Sequence, residues 1–279
     1  QVGSTSGGNL TFYSNDTNAT HLVLDANSRI SLSNNDLGTS NTIFGKSAGA
    51  SLDAGSNYNV FIGEAVSDAT MNDATYNVGV GYNALSGLTS GYSNVAIGSG
   101  AGLGLSSGFQ NVLIGRDAGD AIGTQDECVL IGYNAGTALN DSDADGTVAV
   151  GHSALAALTS GIGNVAVGYQ ALDAEDDGDF NTAIGHQALS AQTGISGTVA
   201  NTAVGYQAGL AITLGRYSTA IGYRALYTED VGDESTAVGY GALFSQNSDS
   251  DNESTGNSSL GMTAGYHNVT GQNNTYLGY

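Results

Sequence analysis

The residues of this sequence best suited to hold an ion are acidic. In the loop NDSDADGT, Asp141, Asp143 and Asp145 alternate with other residues and are followed by Gly146. Oxygen ligands at alternate positions and a glycine turn are typical of Ca²⁺-binding loops. The bidentate acid expected at the twelfth position is missing, because His152 stands there. Two interpretations stay open: a Ca²⁺ site completed by a neighbouring loop or chain, or a solvated acidic bulge. No cofactor is required.

Tyrosine recurs directly after a repeated glycine, and we call this position the aromatic row. Its tyrosines include Tyr82, Tyr133, Tyr169, Tyr206, Tyr223 and Tyr240. Aromatic rings in a row can stack on the sugars of a glycan, and they can equally pack on one another and hydrogen-bond at the rim. Both interpretations stay open for these residues. His152 and His186 replace tyrosine in the same row.

Catalysis is not expected from this chain. No H-x-x-x-H pair or C-x-x-C pattern suggests a zinc site, and no spacing suggests a Ser/His/Asp assembly. The formal charge of −21 argues against nucleic-acid partners and anionic membranes, which need clustered Lys and Arg. No apolar run approaches the ~20 residues of a membrane span, so membrane insertion is not expected. We therefore treat the chain as a non-enzymatic protein.

The elements that position these residues come from an internal repeat. A glycine, which we call the motif glycine, closes a phrase such as NVAVG in fourteen copies. Successive copies lie 18, 18, 17, 17, 17, 19, 17, 17, 20, 17, 17, 22 and 17 residues apart. The 279-residue chain has 43 glycines, no proline and a single cysteine, so these glycines serve repeated turns and no intramolecular disulfide can form. One dominant period indicates a repeat architecture.

Each phrase predicts a short strand. The residue before the motif glycine (the pre-glycine row, Phe44 to Leu277) is aliphatic or aromatic throughout, and the residue three before it (the leading row, Thr42 to Thr275) is β-branched in thirteen of fourteen copies. These two rows share one face of a strand, and we expect that face to point into the coil. Asn fills the position before the strand in ten copies (the Asn row), where stacked amides can hydrogen-bond between coils.

The sequence therefore predicts an all-β fold, a parallel β-solenoid or β-roll of about 13–14 coils with a period of ~17 residues. No coil can bury its apolar residues alone, so stacking must bury them. Residues 41–279 form this domain. Residues 1–40 carry short alternating segments at Leu10–Phe12, Leu22–Leu24 and Ile30–Leu32, which predict a β-hairpin module that caps the first coil or connects the solenoid to an upstream part. Since the chain opens with Gln1, we expect it to be part of a longer polypeptide.

The residue two before the motif glycine, the middle row, suggests an oligomer. It should point away from the coil interior, yet it is small or apolar throughout. A sheet that is apolar on both faces is usually covered on both. We expect a second copy of the chain to cover it, although a doubly covered sheet within one chain would give the same pattern. The candidate interface residues are Leu113, Leu130, Ala149, Ala166, Ala183, Ala203, Ala220 and Ala237.

The phrases NTAIGHQALSAQTG and NTAVGYQAGLAITLG resemble repeats in the tail fibres of tailed bacteriophages, marine and cyanobacterial ones especially. HLVLDANSRISLSNND resembles the short β module that often precedes them. The small-residue rhythm is more distantly similar to the heads of trimeric autotransporter adhesins. The resemblance implies a homotrimeric, receptor-facing fibre segment on an extracellular virion tail, with other tail proteins and a host-surface glycan or protein receptor as partners.

The expected function is thus structural, with attachment through many weak loop contacts. One alternative is a bacterial surface adhesin or extracellular filament with the same repeat. A less favoured alternative is a glycan-degrading tailspike, which needs paired carboxylates in a groove. An ice-binding solenoid would use the threonines of the leading row from Thr182 to Thr275, but we expect that row to face inward and it has no second parallel threonine row.

Overall fold

The computed structural model describes the backbone of four short strands within residues 1–39, and backbone and side chains of residues 40–141, 144–193, 196–248, 250 and 253–279. The chain is an all-β parallel β-solenoid of about 13 turns with a ~17-residue period. The predicted fold class is confirmed. Among the described residues, no helix has the length and apolar character that crossing a membrane requires.

One long sheet contains a three-residue strand from every repeat. These strands are β5 (Thr42–Phe44), β6 (Val60–Ile62), β7 (Val78–Val80), β8 (Val95–Ile97), β9 (Val112–Ile114), β10 (Val129–Ile131), β11 (Val148–Val150), β12 (Val165–Val167), β14 (Thr182–Ile184), β16 (Thr202–Val204), β17 (Thr219–Ile221), β18 (Thr236–Val238), β19 (Ser258–Leu260) and β20 (Thr275–Leu277). Each strand pairs in parallel with the same residues of the next, so Ala149 pairs with Ala166 and Ala166 with Ala183.

The remaining strands lie outside this series. Strands β1 (Val2–Ser4), β2 (Leu10–Tyr13) and β3 (Thr20–Leu24) form an antiparallel sheet, and β4 (Ile30–Ser31) pairs antiparallel with β5 at the end of the long sheet. The enlarged loop after Gly185 also pairs with the loop of the preceding coil, through β15 (Gly197–Thr198) and β13 (Gly178–Asp179). The extra residues of long repeats therefore leave the stack of strands undisturbed.

The core lies on the opposite face of the strand from the one predicted. The middle row is buried inside a single chain, and the leading and pre-glycine rows point outward, with intermediate or exposed burial in every strand. The predicted interface is therefore wrong, because its residues are at most 1% exposed without any partner: Leu113, Leu130, Ala149, Ala166, Ala183, Ala203, Ala220 and Ala237. Inside the coil the middle row shares its space with the residue four after the motif glycine, and these two positions fill the interior together, so the β-branched rows face out.

The sizes of the side chains at two interior positions already indicate that the middle row faces inward. Leu113 and Leu130 of the middle row lie in coils where the residue four after the motif glycine is Gly119 or Gly136, while coils with alanine in the middle row mostly carry leucine there. A Cβ on Gly119 would contact the side chains of both leucines. The two positions therefore share one interior volume, and their inverse sizes in the sequence predict that the middle row faces inward.

The Asn row forms a buried ladder, as predicted. The Asn59 backbone N–H donates to Asn41 Oδ1 at 2.8 Å, and the same bond recurs from Asn77 to Asn59 and from Asn94 to Asn77 at 2.9 and 3.0 Å. The Asn94 amide also donates to the carbonyl of Gly108 within its own coil at 2.8 Å. These amides thus join two coils and close one turn, which satisfies backbone groups that the irregular loops leave without a sheet partner.

The motif glycines sit where no side chain fits. Gly168 has φ of +142°, and a Cβ on it would overlap the backbone carbonyl oxygen of Gly185 in the next coil. A positive φ and a close backbone approach therefore both require glycine at this position. The repeat keeps this glycine in every copy because L-residues rarely adopt that φ and because the coils touch there through backbone alone.

Candidate functional site

The outward face of the long sheet is apolar and carries no charge. The leading and pre-glycine rows supply its side chains, and none of the fourteen strands contains Asp, Glu, Lys or Arg. Pre-glycine side chains such as Ile97 and Ile184 are 40% exposed. The leading row is valine from Val60 to Val165 and mainly threonine from Thr182 onward. We call this surface the outer face.

The position of the threonines corrects a second expectation. The sequence predicts that the leading row faces inward, but it faces outward because the middle row fills the coil. The threonine hydroxyls of the downstream coils therefore lie on the surface. Beside them stand Ile184, Val204 and Ile221 rather than a second threonine row.

The aromatic row forms a continuous stack of rings. From Tyr133 to Tyr240 each ring contacts the next at centroid distances of 4.9–5.3 Å, through the intervening His152 and His186. The later pairs are almost parallel, with 10° between the ring planes of Tyr206 and Tyr223. The structure thus brings Tyr133, Tyr169, Tyr206, Tyr223 and Tyr240 into one ladder.

This ladder limits how its tyrosines can meet a sugar. Tyr169, Tyr206 and Tyr223 have a neighbouring ring on both faces, so a sugar can reach only their edges and hydroxyls. Tyr82 is 57% exposed and has no stacked ring among the described residues, so its faces remain accessible. Face stacking on a glycan therefore fits Tyr82 and does not fit the interior of the ladder.

A second aromatic row, not anticipated from the sequence, lies five residues after the motif glycine. It contains Tyr227, Phe244 and Tyr266, stacked at 4.9 and 4.7 Å with planes 8° and 5° apart. This position is aromatic only in these three coils, beside the end of the first ladder. A comparison of this column across the repeats would have found it.

Between the two aromatic rows is a cavity of about 130 Å³, which we call the ring groove. It is lined by Tyr223, Arg224, Tyr240, Gly241, Phe244 and Tyr266. The guanidinium carbon of Arg224 lies 5.0 Å from the ring centroid of Tyr227 and 5.3 Å from that of Tyr223. Arg224 Nε donates to Gln207 Oε1 at 2.9 Å, which fixes the guanidinium between the two rows.

The candidate calcium loop is only partly described. Asp143 lies outside the described residues, so the relative positions of Asp141, Asp143 and Asp145 are not determined. Asp145 Oδ1 accepts a hydrogen bond of 2.8 Å from the backbone N–H of Asp126, so this oxygen already holds the preceding coil. Either interpretation of the loop remains a prediction.

Among the described residues, the one group of three acids close enough for an ion is Glu175, Asp176 and Asp177. Glu175 is fully buried, and its Oε1 accepts from the backbone N–H groups of Asp176, Asp177 and Gly178, at 2.8 Å from Gly178. These hydrogen bonds close the loop, and they account for the burial of the Glu175 carboxylate. Burial raises the pKa of Asp177, and the neighbouring Asp176 raises it further.

Glu175 occupies the position seven residues after the motif glycine, which we call the corner row. This position is polar and buried at Glu175, Gln192, Glu229 and Gln246. Gln192 stacks on Glu175 and donates to its Oε2, and Gln246 likewise donates to Glu229 Oε2 at 2.8 Å. Glu229 Oε1 also accepts from the backbone N–H groups of Gly232 and Ser248. These side chains fasten the enlarged downstream loops to the core.

Cys128 occupies one place in the Asn row. It is buried, and burial raises the pKa of its thiol to about 11. Its backbone N–H donates to Asn111 Oδ1 at 2.9 Å, so the ladder reaches this coil although its own side chain has no amide. The thiol is therefore protonated at neutral pH and has a packing role.

Comparisons of the chain with protein-family models, with curated proteins and with solved structures gave no match.

Proposed function

We propose that this chain is a rigid segment of an extracellular attachment fibre, of the kind found in the tail fibres of tailed bacteriophages that its repeats resemble. Several copies associate through the outer face, and a homotrimer is the assembly that the resemblance implies. The fibre presents its loops and aromatic rows to a host surface, where many weak contacts act together.

The observation that carries the proposal is the uncharged outer face on a chain of net charge −21. Thirteen steps of about 4.8 Å give a sheet about 60 Å long, and three residues give a width of about 10 Å. The resulting strip of roughly 600 Å² is close to the ~800 Å² that each partner buries in a standard interface. Monomeric proteins rarely expose a larger continuous apolar patch.

The partner that fits this strip is another copy of the chain. Two such faces are both flat and apolar, and their acidic residues lie in the loops, away from the contact. A face made of Val, Ile and Thr rows lets side chains of two sheets interdigitate. Assembly would bury the rows that a single coil leaves outside.

Sedimentation of the purified chain tests this proposal. We expect a mass near three times 27.9 kDa, and we expect the Ile97→Glu plus Ile184→Glu variant to sediment as a monomer, because four or more buried carboxylates would meet in the interface. Ile162→Glu is the matched control: Ile162 is 42% exposed but lies in a loop. A monomeric parent chain would contradict the proposed assembly. An assembly that survives the double variant would place the interface elsewhere.

A further inference from the structure

Arg224 differs from the other described basic side chains. Lys46 pairs with Glu64 at 2.9 Å, Arg116 with Asp117 at 3.0 Å and Arg216 with Asp233 at 3.7 Å. No acidic side chain in the described part of the chain forms an ion pair with Arg224, whose partners are Gln207 and three tyrosine rings. Within the described part of the chain, Arg224 is therefore a half-buried guanidinium without an acidic partner.

The rings around Arg224 add to the positive potential of the ring groove. Tyr223 and Phe244 have a stacked ring on both faces, so they border the groove with their edges, whereas Tyr240 ends its row and is stacked on one face only. An aromatic ring has negative faces and a positive edge. Edges and guanidinium together favour an anionic group, on a protein whose overall charge repels polyanions.

The cavity itself arises from a missing side chain. Coils upstream carry Gln170, Gln187 and Gln207 two residues after the motif glycine, where Arg224 and then Gly241 follow. Gly241 has φ of +58°, and its lack of a side chain opens the space between Tyr240, Phe244 and Tyr266. The space of about 130 Å³ admits one ring-sized group.

The backbone of the ring groove is already hydrogen-bonded. The N–H of Arg224 donates to the Tyr206 carbonyl at 3.0 Å, and the N–H of Gly241 donates to the Tyr223 carbonyl at 2.9 Å. A peptide strand would find neither of these two N–H groups free. Tyrosine hydroxyls at the ring edges can donate to and accept from the hydroxyls of a sugar.

We infer that the ring groove binds a carboxylated sugar residue of an otherwise mostly neutral glycan, with the carboxylate on Arg224. This inference deepens the proposed attachment function and rests on it for its biological role. The sugar ring lies against the ring edges at Gly241, and the guanidinium supplies a charge-assisted hydrogen bond. The net charge of −21 repels a densely anionic polymer, so such a polymer is not the expected occupant.

An NMR titration of the intact chain tests the inference with methyl glucuronide and methyl glucoside, which differ only in the carboxylate. We expect saturable glucuronide binding in the millimolar range and at least about tenfold weaker binding of the glucoside, since hydrogen bonds to charged groups contribute that much. N-acetylaspartate amide is the third probe. Tighter binding of this probe than of the glucuronide would favour an acidic peptide and overturn the inference.

Two variants and a control localise the site. Arg224→Gln should weaken glucuronide binding at least about tenfold and leave the glucoside unchanged. Gly241→Asn should abolish binding while Arg224 is retained, because Asn tolerates a positive φ and its side chain fills the cavity. Arg116→Gln is the control, since Arg116 also lies over a ring, 5.4 Å from the Tyr133 centroid, but pairs with Asp117.

The outcomes separate this inference from the proposed fibre. Three results would contradict carboxylate-dependent sugar binding in the ring groove without affecting the sedimentation result. They are equal binding of glucuronide and glucoside, binding that survives Gly241→Asn, and an equal loss of binding in Arg116→Gln. Thermal unfolding of each variant checks that it is folded. A monomeric chain that still binds glucuronide through Arg224 would contradict the proposed fibre assembly and support the binding site in the ring groove.

Discussion

The upstream coils, residues 41–164, and the downstream coils, residues 165–279, share the same strands and motif glycines, which we call the wall. They differ in the residues of the corner row. Upstream, Thr70 of the corner row is exposed, and in the other six of the seven upstream coils this row is apolar and buried: Leu52, Leu88, Leu105, Ile122, Leu139 and Leu158. Downstream, it contains the pairs Glu175–Gln192 and Glu229–Gln246, which are also buried. The polar corner accepts hydrogen bonds from backbone N–H groups of the downstream loops, such as those of Gly178 and Ser248. The difference shows that the strand and its motif glycine determine how the coils stack, and that the residue type in the corner row varies with the loop that follows it.

Glycine substitutions should affect the shared wall equally in both regions. We expect Gly115→Ala upstream and Gly222→Ala downstream each to lower the free energy of unfolding by at least about 3 kcal/mol. Both glycines have a positive φ, and a Cβ on either would overlap the motif glycine carbonyl of the next coil. Urea denaturation followed by circular dichroism measures the change.

Gly146→Ala is the control for this prediction, because Gly146 has φ of +73° but a Cβ added there would meet no other atom within 4 Å. It should cost only about 1 kcal/mol. A large loss in one region and a small loss in the other would mean that the two regions do not share the same wall.

Exchanging the corners should destabilise both regions by smaller amounts. Leu105→Gln places an amide in an apolar corner, and Gln246→Leu leaves Glu229 Oε2 and one amide hydrogen of Asn257 without their partner. We expect each variant to lose about 2 kcal/mol in urea denaturation. Leu103→Gln, at a side chain that is 37% exposed in the same coil as Leu105, should stay within about 0.5 kcal/mol. A downstream corner that accepts leucine without loss would refute the loop-fastening role.

Two aspartates should respond to pH with opposite signs, and this is the smallest effect. Hydrogen bonding from Ser56 lowers the pKa of Asp53 below its usual 3.8, and burial raises the pKa of Asp173 above it. Asp53 therefore stabilises the folded chain above pH 3.8, and this is lost as pH falls through the lowered value. Asp173 costs stability at neutral pH, and the cost disappears as pH falls through the raised value towards 3.8.

The measurement is the melting temperature of two variants between pH 3 and pH 7. Asp53→Asn should melt below the parent at pH 7, and Asp173→Asn should melt above it. Both differences should shrink towards the acidic end, as the two aspartates become protonated. The same sign for both variants at pH 7 would show that these local environments do not govern the two pKa values.

The repeat was enough to predict most of the fold. The fixed spacing of the motif glycine predicted parallel strands in register, and the recurrence of Asn predicted the amide ladder that joins Asn41, Asn59 and Asn77. Both follow from local rules that act identically in each copy. The orientation of the strand was predicted wrongly, because alternation separates two faces without saying which one is inside when both are apolar.

The candidate sites depended on contacts between rows. The sequence placed Tyr206 and Tyr223 in one row, but not Tyr227 across from them or Arg224 between the two rows. Whether a ring offers its face or its edge is decided by the distance to the next coil. That distance gives 5.3 Å between the centroids of Tyr206 and Tyr223, so the faces are consumed in stacking.

By itself the sequence determined the period, the strands, the glycine contact and the polar ladder, since each depends only on residues one coil apart. The tertiary structure decided which rows became core and which became surface. The middle row and the residue four after the motif glycine share one interior volume, which a small residue at one position and a large one at the other fill in most coils, so the leading and pre-glycine rows face outward. The closure of each coil also brings two aromatic rows together around Arg224.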